Sequence, residues 1–155
     1  FHLRMFQKRP DLTGIVHAHP PVMTGFAIAN TDLLAKPFLP EPIIEVGPMV
    51  MVDYEEPLSD ELARAFDDKL DYANAFLMKN HGALVTSSEG VERALEFFEM
   101  MEAAAISIFV AELLGGADVL EKKHVQNLER TMKTRNLPMP GAKGKVTGLL
   151  DLFYK

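Results

Sequence analysis

The sequence predicts an α/β sandwich, a sheet covered by helices, and three observations carry that prediction. Short apolar runs of strand length interleave with segments of helical periodicity. One of those segments, from Val91 to Ile108, repeats apolar residues at three- and four-residue steps. Turn formers separate the pieces: Pro20-Pro21, Gly47-Pro48, Asn80-His81-Gly82 and Gly115-Gly116.

Phe1 to Arg9 places Leu3 and Phe6 at helical spacing and stops at Pro10, so it reads as the last turns of a helix, with residues expected before Phe1. Thr13 to His19 reads as a strand with Ile15, His17 and His19 on one side and Val16 and Ala18 on the other. Val22 to Ala29 predicts a short helix, because proline suits a first helical turn. Asn30 to Pro42 reads as loop, and Ile43 to Val46 and Met49 to Val52 as two short strands.

Ser59 predicts the cap of a helix from Asp60 to about Tyr72, with Asp60 and Glu61 where the macrodipole favours acid. Ala75 to Lys79 and Ala83 to Thr86 predict strands hinged at Asn80-His81-Gly82. Ser88 caps the longest expected helix, whose buried stripe is Val91, Leu95, Phe98, Met101, Ala105 and Ile108, and Gly115-Gly116 stops it. A polar helix from Asp118 to about Lys133 and a Pro/Gly/Lys-rich tail complete a single expected domain, 1–155, without internal repeats.

Composition narrows the function. A chain of 155 residues, 48% apolar, has core enough to fold without a structural metal, so a metal site in it points to function. The absence of cysteine removes disulfides and thiolate zinc sites, fits a reducing cytoplasm, and leaves histidine and carboxylates as the strong ligands. A net charge of -6 with dispersed Lys and Arg argues against nucleic acid. The longest apolar run, Ala103 to Ala111, is far short of the roughly 20 residues of a helical membrane span.

The chemistry concentrates in three histidines. On a strand, His17 and His19 project from one face about 7 Å apart, near enough to share one ion. His81 stands in a tight turn followed by Gly82, which allows close backbone approach. Three neutral imidazoles with an open position make a catalytic rather than a closed zinc site; cobalt, nickel and copper suit the same donors. His-x-His pairs also arise as ordinary strand residues, and Asn80-His81-Gly82 alone would be a mere turn.

The surrounding residues add a resemblance. Phe1-His2-Leu3 through Arg9-Pro10-Asp11, Val16-His17-Ala18-His19, Pro40-Glu41 followed by Gly47, Leu58-Ser59-Asp60-Glu61-Leu62, and Lys79-Asn80-His81-Gly82-Ala83 together resemble the class II aldolase/adducin family. The resemblance implies a three-layer α/β/α sandwich, a zinc ion on His17, His19 and His81, and a cytoplasmic homotetramer. The implied activity is that of an aldolase cleaving a ketose 1-phosphate such as fuculose 1-phosphate to dihydroxyacetone phosphate and an aldehyde. A sugar-phosphate dehydratase or 4-epimerase, and a non-catalytic adducin-like interaction domain, are the alternatives. The resemblance implies a general acid/base glutamate just upstream of Phe1 and phosphate loops further upstream still. A stretch that carries a tyrosine in some aldolases reads Pro37-Phe38-Leu39-Pro40 here.

Other candidates receive plain expectations. His2 reads as a helix residue with a structural hydrogen bond, and His124 as a solvated one. Glu41 and Glu45 read as loop or strand-edge carboxylates. Gly141-Ala142-Lys143-Gly144-Lys145 lacks the spacing of a phosphate loop and reads as flexible tail, and Tyr154 as part of a frayed end.

Overall fold

Among the described residues a four-stranded sheet runs in the order β1-β4-β3-β2, with β1 Gly14–Ala18, β2 Met49–Val52, β3 Ala75–Met78 and β4 Gly82–Ser87. The structure is a computed structural model, and it describes residues 1–154. β4 pairs antiparallel with both β1 and β3, whereas β2 runs parallel to β3. Every residue of β3 and β4 is buried, which follows from their central place and from sequences that are apolar up to Thr86 and Ser87 at the end of β4.

The alternation of strand side chains divides the core in two. Ala75, Leu77, Ala83 and Val85 pack with Met23, Phe26, Phe98 and Met101, which α2 (Pro21–Ala29) and α5 (Val91–Leu113) supply. Phe76, Met78 and Leu84 pack on the other side with Met5 of α1 (His2–Lys8), Leu62 of α4 (Asp60–Arg64), and Phe66 and Leu70 just after it. Helices on both faces make the expected three-layer α/β/α sandwich. Each large side chain fully buried in these layers contributes about 1.5–3 kcal/mol of burial free energy. A third cluster joins Ile43 of α3 (Pro40–Glu45) to Val125 and Met132 of α6 (Lys122–Thr134) and Leu149 of α7 (Leu149–Phe153).

Several expectations need correction. Ile43 to Glu45 is helical rather than extended, with Val46 as the cap: Pro40 opens α3, and Val46 and Gly47 both donate to the Pro42 carbonyl. The β-branched residues there turn Ile43 onto α6 and α7, so tertiary packing overrides their strand preference. Ser59 does cap α4, its hydroxyl accepting from Leu62 N–H at 3.0 Å, but the helix ends at Arg64. Three-residue turns replace it where Asp67 pairs with Arg4 and Lys8.

The stripe on α5 is out of phase at its start. Val91 and Leu95 are 56% and 47% exposed, while Ala94, Phe97, Phe98, Met101, Ala104, Ala105 and Ile108 are buried. A side chain on Gly14 would meet the Gly90 carbonyl oxygen at 2.2 Å, so the helix starts hard against β1 and presents the small Ala94 there. Gly90, not Ser88, holds the cap position. The C-terminal segment is fastened rather than free: Ala142 N–H donates to the Asp71 carbonyl at 3.0 Å, and the Tyr154 hydroxyl donates to the Leu120 carbonyl at 2.6 Å. No helix among the described residues is long and apolar enough to cross a membrane.

Candidate metal centre

The topology explains why residues more than sixty positions apart meet. β1 and β4 are antiparallel neighbours with Ala18 opposite Ala83, so the end of β1 lies beside the turn that opens β4. His17 stands in β1 opposite Leu84, His19 follows the strand, and His81 occupies the turn between β3 and β4. One ligand-capable nitrogen from each of the three lies within 4.8 Å of the others. The ring centroids are 5.0, 5.0 and 5.1 Å apart.

Local backbone chemistry shapes this arrangement. Asn80 takes the left-handed conformation, φ 54°, that asparagine tolerates better than most residues, and His81 N–H closes the turn on the Met78 carbonyl at 2.9 Å. At Gly82 a Cβ would fall 2.4 Å from His19 Cδ2 and 2.8 Å from the Ala18 carbonyl oxygen, so only glycine lets the His19 ring lie against the turn. His17 Nδ1 sits 2.9 Å from the Ala83 carbonyl oxygen. A carbonyl only accepts, so Nδ1 carries the proton and Nε2 keeps a free lone pair, as metal-bound histidines require.

The electrostatics agree with a cation site. Burial pushes the His17 pKa below its ordinary value of 6.5; the hydrogen bond to Ala83 opposes this, and the neighbouring histidines add to it. Burial likewise lowers His81, with a further contribution from His19. Both rings are therefore neutral near pH 7, the form that ligates. His81 Nδ1 is buried and has no hydrogen-bond partner among the described residues. An orphaned buried nitrogen costs about 1–3 kcal/mol, and the donor set of three imidazoles fits a divalent transition metal. His19 is exposed, so the centre opens on one side.

Of the remaining candidates, His2 lies close enough to the triad for its charge to act on His17, and the others lie elsewhere. His2 stacks on Phe1 at 4.5 Å, and Phe1 in turn meets His17 edge-on at 5.4 Å. Glu45 is on α3 and pairs with Arg93 at 2.8 Å, Glu41 is exposed in the first turn of the same helix, and neither is a strand-edge carboxylate. His124 is exposed on α6. Gly141 belongs to a fastening: its carbonyl accepts from Arg9 Nη2 at 3.2 Å. Sequence reasoning missed Glu102 of α5, whose carboxylate accepts from Val22 and Met23 N–H at 2.9 and 2.8 Å. The available signal was Pro20-Pro21, which leaves a helix start with no side-chain acceptor of its own.

Residues 1–108 match the Class II Aldolase and Adducin N-terminal domain, and the chain belongs to that family. It is 33% identical over 109 residues to a 3-oxo-tetronate 4-phosphate decarboxylase of Haemophilus influenzae, covering 68% of this chain and 52% of the relative. It is 29% identical over 131 residues to a 5-deoxy-D-ribulose 1-phosphate aldolase of Bacillus thuringiensis serovar kurstaki, covering 83% and 59%. Among solved structures, an L-fuculose 1-phosphate aldolase superposes with a TM-score of 0.74 at 26% identity, over 85% of this chain and 61% of that one. The chain thus spans about half the length of the curated relatives it matches.

Proposed function

We propose that His17, His19 and His81 hold a divalent ion, zinc first, and that the full-length protein is a metal-dependent lyase breaking a carbon–carbon bond in a sugar phosphate. The observation that carries this reading is the convergence of three imidazoles, one with an orphaned buried nitrogen, in a chain of this family. When bound, the ion supplies a Lewis acid for the carbonyl that takes up the electron pair of the breaking bond.

The chain's own residues prepare that chemistry. The Ala83 carbonyl orients His17, burial keeps His17 and His81 unprotonated, and Gly82 makes room for His19. Phe1, next to which the family resemblance implies a glutamate, packs edge-on to His17. The glutamate that the family resemblance implies at that place is the proposed general acid/base.

Two reactions fit. A ketose 1-phosphate such as fuculose 1-phosphate would release dihydroxyacetone phosphate and an aldehyde; a 3-oxo-tetronate 4-phosphate would release carbon dioxide and, once the carbon left behind takes up a proton, dihydroxyacetone phosphate as well. In both, the bond that breaks lies one carbon away from a carbonyl, and its electron pair moves toward that carbonyl. The decarboxylase relative favours the second reaction, the aldolase relative and the aldolase structure the first. A cytoplasmic homotetramer belongs to the same reading, supported only by the resemblance.

The test assays full-length protein on both substrates after chelation and again after adding zinc. Turnover lost on chelation and restored by zinc is expected. Both cleavages leave dihydroxyacetone phosphate, so the other product assigns the reaction: an aldehyde, carbon dioxide, or in place of cleavage a dehydrated sugar or an epimer. Turnover that survives complete metal removal would contradict the proposal.

A further inference from the structure

The donors of a helix's first turn lack intrahelical partners, and a side chain at the N-cap ordinarily accepts from them. Helix α2 has no such residue. Its N-cap is Pro20, without a side-chain acceptor, and Pro21 follows with no N–H to offer. Thr24 N–H bonds the Pro20 carbonyl at 2.9 Å, which leaves Val22 and Met23. Glu102, brought from the middle of α5, takes both: Oε1 accepts from Val22 at 2.9 Å and Oε2 from Met23 at 2.8 Å. Its negative charge also lies at the positive end of the α2 dipole.

That turn follows His19 directly. Pro20, at φ -69° and ψ 143°, and Pro21 leave few free torsions between His19 and Val22, so the seating of α2 is felt at His19. The other end of the same helix reaches a second ligand: the Ala27 carbonyl accepts from Asn80 N–H at 3.3 Å, and Asn80 precedes His81. Helix α2 therefore braces two of the three histidines, and Glu102 ties its start to α5.

We infer that Glu102 is a positioning residue for the metal centre, holding His19 at the separation from His17 and His81 that a shared ion needs; this rests on the metal reading of the triad. A cap of purely structural value would alter the melting temperature and leave the ligand geometry as it was. A positioning residue alters the geometry as well.

Cobalt(II) is the probe, added to metal-free full-length protein, with its dissociation constant measured by chelator competition and its visible absorption bands recorded. Four proteins are compared: wild type, Glu102→Ala, Glu102→Gln, and Val125→Ala in the third cluster. The alanine variant is expected to bind cobalt about tenfold more weakly, with shifted bands. The glutamine variant, which keeps one acceptor oxygen, is expected between alanine and wild type. Val125→Ala is expected to melt earlier with both readouts unchanged. A folded Glu102→Ala protein with wild-type affinity and bands overturns the positioning role and leaves the metal site standing. If that variant does not fold, the glutamine variant decides: weaker binding with shifted bands supports the role, and an unchanged site overturns it. A wild type that takes up no cobalt overturns the metal reading and this inference with it.

Discussion

The two ends of the sheet gather polar groups in opposite ways. At the end where β1 begins, the Arg9 guanidinium is 4% exposed and every nitrogen has an acceptor. It donates to the two Asp11 oxygens at 2.8 and 2.7 Å, to the Leu70 carbonyl at 2.7 Å and to the Gly141 carbonyl at 3.2 Å. At the end where β1 stops, three imidazoles face one another and His81 Nδ1 has no partner among the described residues. Groups that satisfy one another fasten the chain. Groups that crowd together without doing so are held for something else, and the two ends can be told apart by what each substitution removes.

The largest expected effect is at the fastened end. Arg9→Ala leaves the Leu70 and Gly141 carbonyls and a half-buried Asp11 without their donor, and is expected to cost about 3 kcal/mol in denaturant unfolding. Metal uptake by the surviving folded fraction should not change. An Arg9→Ala protein of wild-type stability with impaired uptake would reverse the assignment of the two ends.

Next in size is Gly82→Ala, which places a carbon 2.4 Å from His19 Cδ2 and 2.8 Å from the Ala18 carbonyl. Overpacking of that kind costs about 1–3 kcal/mol, and relieving it means moving His19, so titration with zinc should show weakened binding alongside the lower stability. Unchanged affinity would mean that the His19 ring is free to settle elsewhere.

Mild acidification, just below pH 6.5, should produce a smaller change at the open end. His17 and His81 have pKa values lowered by burial, so below their ordinary value of 6.5 the unfolded chain binds more protons than the folded one. The stability of the metal-free protein is therefore full above pH 6.5 and declines as the pH falls through the lowered folded values. Melting temperature against pH checks this. A His17→Ala, His81→Ala double variant should have a flatter profile over that window.

The smallest effect is a gain. Leu58 is 104% exposed and sits at φ 68°, a conformation that costs an L-residue about 1–2 kcal/mol. Glycine removes that strain but loses more freedom on folding, so Leu58→Gly is expected to stabilise by about 0.5 kcal/mol in the same denaturation assay.

These contrasts follow what was legible in the chain. His17, His19 and His81 could be read because their signals are local: a strand's two-residue period and an Asn-His-Gly turn declare themselves within a few positions. The strands near residues 49, 75 and 83 and the cap at Ser59 are of the same kind. What escaped depends on distant partners. Arg9 finds Gly141 across 132 positions, and Glu102 finds Val22 across 80. Ile43, Ile44 and Val46 carry strand preference, while the reason that α3 is a helix lies in α6 and α7. The phase of α5 likewise depends on how closely Gly14 approaches Gly90.

The central claim is that the open end of the sheet holds a metal ion. Its most direct test is elemental analysis of full-length protein loaded with zinc at neutral pH and desalted, beside a His17→Ala, His19→Ala double variant. The account predicts one zinc per wild-type chain and none above background in the variant. A wild-type protein that retains no zinc, or a variant that retains as much as wild type, would contradict it.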